Sequence, residues 1–235
     1  MKQSDLKKSK QPEAVPKLTR RRSESDKQEF KEHLIALSRK ILKERGADAV
    51  TVRSVALEAG ISPMAMYRYF PGKTALVSYV IDDVLVSAWN YCNEQVVRHR
   101  APYTRLATWM DSYVDFWLAH PDYFRLVFLQ PSLNPTAELE ASFWVHAKAP
   151  PLMRTSLHGL LFACWAQDGA TVTDVNTVND QITVSHIGLL HYLFVRKDSP
   201  MVDVARIRHF ATKNIVEMVR NAPVWTQEKV KKSKA

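Results

Sequence analysis

The sequence predicts an all-α chain in two parts, a small N-terminal three-helix unit and a larger helical unit behind it. Three observations lead there. Apolar residues recur at intervals of three and four through most of the chain, the signature of helices with one buried face. Glycine is scarce, 6 of 235 residues, which argues against a turn-rich β fold. Between Thr51 and Phe70, two short apolar-periodic runs, each opened by a capping residue, flank Gly60.

Residues 1–24 come first. They hold Lys7, Lys8, Lys10, Lys17 and Arg20–Arg22 with Pro12 and Pro16, too little apolar surface to order alone. They are expected to form a disordered basic arm. Arg20, Arg21 and Arg22 are also placed to reach a DNA minor groove, as N-terminal arms do. Helix one is expected from Ser25 to Arg45, with a capping-box pattern at Ser25–Gln28. Phe30, Leu34, Leu37 and Ile41 form its stripe, and Gly46 ends it.

Thr51 is a good N-cap, and Val50 with Val55 can staple the turn. Val52, Val55, Ala56 and Ala59 make one small apolar face. Gly60 stands where a helix stops in the left-handed conformation, at little cost to glycine. Ser62 caps the next helix, Pro63 suits its first position, and Ile61 with Met66 repeats the staple. Two capped helices across a tight turn describe a helix-turn-helix, whose second helix, Ser62 to Phe70, enters a DNA major groove. Met66 and Phe70, with part of Tyr67, face inward; Ser62, Pro63, Met64, Ala65, Arg68 and Tyr69 face outward. Met64 and Ala65 can touch thymine methyls, and Arg68 alone on this helix can take a guanine bidentately.

The run from Thr51 to Lys73, ending Tyr67-Arg68-Tyr69-Phe70-Pro71-Gly72-Lys73, resembles the DNA-binding signature of the TetR family of bacterial transcriptional regulators. That family's pattern is a Thr-opened helix, Ala-x-x-Ala-Gly-(Val/Ile)-Ser, a short helix ending Tyr-x-(Tyr/His)-Phe, a turn and Lys. The resemblance implies that Thr51 and Arg53 contact backbone and bases. It implies that Tyr67 and Tyr69 touch phosphates and sugars, and that Lys73 binds a phosphate. Core packing is the competing role for both tyrosines. Met64-Ala65 departs from the family's usual small polar residue or Gly-Thr, so base readout is expected to lean on Arg53, Arg68, the arm and DNA shape.

A long helix follows from Thr74 to about Arg100. It is a lever between the DNA-binding unit, residues 25–88, and a helical effector-binding and dimerisation unit, residues 89–222. In that second unit Thr104–Ala119 is apolar nearly all round, and Tyr123–Phe128 is a short helix. Pro150-Pro151 opens another helix, and Val172–Val178 reads as a connection. Trp109, Tyr113, Trp117, Phe128, Phe162 and Trp165 either line a cavity for a small hydrophobic or aromatic effector or simply fill the core. His158, His186 and His191 lack metal-ligand spacing, and no metal or cofactor is expected.

The last two helices, Thr177–Arg196 and Pro200–Asn221, present Ile182, His186, Leu189 and Leu193, and Val204, Ile207, Ala211, Ile215 and Met218. Two such stripes suit a four-helix interface between two copies of the chain, the usual dimer contact of the resembled family. Residues 223–235 are expected to be a disordered basic tail.

The formal net charge of +9 suggests a polyanionic partner, nucleic acid or an acidic membrane surface. The two cysteines, Cys92 and Cys164, fit a reducing cytoplasm, and no apolar run is long enough to span a membrane. No nucleophile elbow, phosphate loop or paired carboxylates suggest an enzyme. The resemblance implies a homodimeric, cytoplasmic regulator, a repressor released from a palindromic operator by a small molecule. Activation, or binding without an effector, is compatible with the same fold, and nonspecific binding through the basic tails is the competing class.

Overall fold

The computed structural model describes residues 24–129, 147–172, 174–196 and 198–232. Nine α-helices and one 3₁₀ turn, and no strand, are found among the described residues. They are α1 (Glu24–Arg45), the 3₁₀ turn Ala47–Ala49, α2 (Val52–Glu58), α3 (Pro63–Met66), α4 (Lys73–Val96), α5 (Pro102–Ala119), α6 (Pro121–Phe128), α7 (Ala149–Gln167), α8 (Val175–Arg196) and α9 (Val204–Lys232). The arm at residues 1–23 lies outside the described residues.

The local signals form as written in the sequence. The Thr51 side chain accepts from the Ser54 amide, and Ser54 Oγ accepts from the Thr51 amide, both at 3.0 Å, a reciprocal cap. Gly60 has φ of 65°. The Ile61 amide then reaches back to Ala56 O at 2.9 Å and the Gly60 amide to Leu57 O at 3.1 Å, which satisfies carbonyls that the end of α2 would otherwise orphan. Ser62 accepts from the Ala65 amide at 3.2 Å. Helix one differs at its start. It begins at Glu24, so Ser25 lies inside it and does not cap it.

Leu34, Ile41 and Leu42 of α1 pack with Val52, Val55 and Ala56 of α2, and with Met66, Phe70, Leu76 and Val80, all buried. Three polar ties reinforce this head. Lys40 and Arg45 of α1 both hold Glu58 of α2, at 2.8 and 3.0 Å. Lys31 sits over the Tyr79 ring, 3.6 Å from its centroid, a cation–π contact between α1 and α4.

Helix α4 has 24 residues and so extends about 36 Å. Residue 88, where the sequence suggests a division, falls within it. Buried residues from Leu34 to Ala222 form one cluster through which α4 runs. Helices α5, α7, α1 and α6 all pack against it. Phe124 of α6 stacks on Phe194 of α8 at 3.9 Å between centroids.

Two expectations fail near the chain's end. The stretch 172–178 is not wholly a connection: α8 starts at Val175, and Val178 is fully buried. Helix α9 does not stop before Pro223 but continues to Lys232. A proline inside a helix removes one backbone donor. Here Pro223 would leave Val219 O unserved, and the buried indole N–H of Trp165 donates to it at 2.8 Å.

Candidate nucleic-acid interface and ligand cavity

Helix α3 is shorter than expected. Its α-helical part ends at Met66, and the chain tightens into a turn in which the Tyr69 amide bonds Met66 O at 2.9 Å. Ser62, Pro63, Met64, Tyr67 and Arg68 are exposed, Ala65 half-buried, and Lys73 exposed at the start of α4. Met64 is 75% exposed, an apolar side chain on an open face.

Tyrosines 67 and 69 exchange the places that the helical phase assigns to them. Tyr67, expected to be partly inward, is exposed. Tyr69, expected outward, is half-buried with its ring 5.3 Å from Phe30 of α1. The tightened turn after Met66 rotates both away from ideal helical positions. Thr51 is half-buried and committed to its capping network with Ser54, so its first role is structural.

On α2 the outward residues are Arg53 and Leu57, four apart on one face. Leu57 is 81% exposed, and the sequence reading passed over it. Its spacing from Arg53 is the signal that could have marked it.

The cations of the head differ in their pairing. Arg39, Lys40 and Arg45 on α1 are neutralised by Asp83 or Glu58. The hydrogen bonds from Lys40 and Arg45 hold the Glu58 carboxyl below its ordinary value. Arg53, Arg68 and Lys73 are exposed and form no ion pair with any described residue. Three unpaired cations around exposed short helices make a surface suited to a polyanion.

A cavity of about 320 Å³ opens between α4, α5, α7 and α8. Leu85, Trp109, Tyr113, Met153, Leu157 and Ile182 supply apolar wall, and Arg154, Asn179, Asp180, Thr183 and His186 polar groups. Trp109 and Tyr113 stack at 5.5 Å, 10° apart. Burial pushes the His186 imidazole down to about 4, with a backbone hydrogen bond to Met110 acting the other way. The ring is therefore neutral near pH 7. Burial likewise pushes the Tyr113 phenol up, so it also stays uncharged.

Of the six aromatics expected to line a cavity, Trp109 and Tyr113 line this one. Trp117 is fully buried, with Phe116 and Phe128 rings 5.2 and 5.1 Å away. Phe128 is half-buried in that packing, and Trp165 is held by Val219. Phe162 is 50% exposed on the outer side of α7.

The expected dimer stripes also need correction. Ile182, His186, Leu193 and Ile215 are buried in the chain's own core and keep no surface for a partner. Leu189, Val204, Ile207 and Met218 are half-buried and pack on that core, and Ala211 is half-buried. The outward stripe of α8 is instead Val184, Gly188, Tyr192 and Val195, all exposed.

A capped helix-turn-helix whose Arg53, Arg68 and Lys73 form no ion pair with a described residue thus stands on an all-helical body with a cavity. Residues 34–80 match the model of the tetR family of bacterial regulatory proteins. The chain is 28% identical over 107 residues to the nucleoid occlusion factor SlmA of Pasteurella multocida, covering 43% of this chain. The match spans only 54% of that relative's length. The crystal structure of RolR in complex with resorcinol superposes with a TM-score of 0.61 at 17% identity, over 85% of this chain and 93% of that one. A TetR/AcrR-family regulator from Thermobifida fusca gives a TM-score of 0.53 at 14% identity, over 80% and 97%. These structural likenesses concern the fold. No helix among the described residues is long and apolar enough to cross a membrane.

Proposed function

We propose that the chain is a homodimeric, cytoplasmic transcriptional repressor, released from a palindromic operator by a small, largely apolar aromatic ligand. The observation that carries the DNA reading is the unpaired set Arg53, Arg68 and Lys73 around the exposed faces of α2 and α3. Each protomer lays α3 in a major groove, and two-fold symmetry sets the half-sites ~34 Å apart. Arg68 reads a guanine edge, Met64 and Leu57 contact apolar base or sugar atoms, and Tyr67 and Lys73 hold phosphates.

The second copy packs on the outer stripe of α8. Gly188 lies at its centre, and a Cβ added there meets nothing within 4 Å. The bare backbone lets a partner helix approach closely. The stripe's exposed Val184, Tyr192 and Val195 supply the apolar area.

The ligand reading rests on the cavity's stacked Trp109 and Tyr113 and on the neutral state of His186. Such walls suit an uncharged ring bearing a hydrogen-bonding group. The fold's likeness to RolR, which carries resorcinol, is consistent with that class. Selection of bound duplexes from a random pool tests the first half. An inverted repeat should emerge, and its binding should survive salt that abolishes binding to random duplex. Titrating that complex with resorcinol and with 2-naphthol as probes tests the second. Release by either supports the ligand class, and indifference to both counts against it.

A further inference from the structure

Consecutive residues of α4 hold different parts of the molecule. Asp82 is nearly buried, 9% exposed. Its two carboxylate oxygens accept from the Lys148 and Ala149 amides at 3.0 and 2.9 Å. Those amides open α7, where the first-turn donors have no partner within the helix. Lys148 itself makes no side-chain cap. The cap of α7 thus comes from another helix, 67 residues back in the chain at Ala149.

Asp83, one residue on and about 100° around the helix, faces the head. Its Oδ2 lies 3.0 Å from Arg39 Nη1 of α1. Arg39 Nη1 also approaches Ser87 Oγ at 3.4 Å, and Ser87 Oγ donates to Asp83 O at 2.9 Å. The two carboxylates are not electrically separate. Burial raises the Asp83 carboxyl first, Arg39 opposes that, and the Asp82 charge adds to the rise.

We infer that the Asp82–Asp83 pair is the joint through which the cavity and the DNA-binding head sense each other. The first turns of α7 carry Pro150, Met153 and Arg154 of the cavity wall. A ligand pressing on them displaces the amides that Asp82 grips. That displacement reaches α4 at the residue next to the one holding α1. Asp82 and Asp83 are positioning residues, in contact with neither DNA nor ligand. The inference rests on the regulatory reading above and assigns its route.

Coupling between two sites is reciprocal, so DNA alone can test it. Amide exchange is measured on the full chain with and without the duplex selected from the random pool. Binding of that duplex should slow exchange of the Lys148 and Ala149 amides by about fivefold, the low end of usual site-to-site coupling. In Arg39→Gln and Asp83→Asn, which alter a half-exposed pair, DNA should still bind and that slowing should disappear. Charge exchange, Arg39→Asp with Asp83→Arg, should restore part of it. Asp82→Glu keeps the cap's charge should Asp82→Asn fail to fold, and it should show faster basal exchange at the same two amides. No slowing in the unaltered chain, or equal slowing in Arg39→Gln, overturns the inference. Failure to select any duplex would instead strike the DNA reading itself.

Discussion

The Trp165 indole N–H donates at 2.8 Å to the carbonyl of Val219, four residues before Pro223, whose ring nitrogen has no proton to offer. Trp165 and Val219 are both buried, so the carbonyl has no water to turn to. Trp165→Phe should therefore cost about 1–3 kcal/mol, the usual penalty for an orphaned buried polar group. In a Pro223→Ala background the backbone donor returns, and the same substitution should cost less. Denaturant unfolding of the four variants gives the coupling. Equal costs in both backgrounds would remove the link between the proline and the indole.

Replacing Arg68 should change what is read more than how tightly DNA is held. Arg68→Ala should relax one position in each operator half-site, at about 1–3 kcal/mol of discrimination. Lys73→Ala should weaken all duplexes alike and lower the salt dependence of binding. Selection and salt titration of the two variants separate the roles.

His186 gives a signed dependence on pH. Its pKa is lowered from 6.5 to about 4 by burial. Between those values the unfolded chain binds a proton that the folded chain refuses, so stability falls as pH drops from 6.5 towards 4, and the loss levels off below. The full span is on the order of 3 kcal/mol. His186→Phe should flatten this part of the profile, relative to the unaltered protein, in urea titrations at pH 7, 6 and 5.

The partner face is tested at Gly188. Gly188→Arg places a charged chain where a Cβ meets no neighbour within the protomer, so the fold should tolerate it. A dimer packed across α8 should dissociate, and sedimentation should report a monomer. Operator affinity should fall with it, because one head alone loses the second half-site. Ile182→Ser, by contrast, should lower stability, since that side chain lies in the core.

The caps at Thr51 and Ser62 and the glycine stop at Gly60 were legible because their partners lie within a few residues. Sequence order alone brings those atoms together. The phase of α8 was not legible. The helix is apolar on opposite sides, with Ile182, His186 and Leu193 on one and Val184, Tyr192 and Val195 on the other. Which stripe faces inward is decided by α5, α7 and α9. Trp165 and Asp82 find their partners 54 and 67 residues away, beyond the reach of any spacing rule. Tyr69 misled for a different reason. The chain leaves regular helix after Met66, and a periodic projection carried past that point aims the ring at the wrong side.

The unbroken core along α4 bears on how such a protein can be re-engineered. Leu76 and Val80 of α4 pack the head, while Ala88 and Trp89 of the same helix face the second unit. A graft that joins a foreign sensor at the turn before Lys73 would strip the reading module of one wall. A splice within α4 would have to preserve its register as well as its composition. Interchangeable parts of this chain are thus better cut at surface loops beyond α4 than at the turn before Lys73 or within α4, and hybrids made there should emerge insoluble.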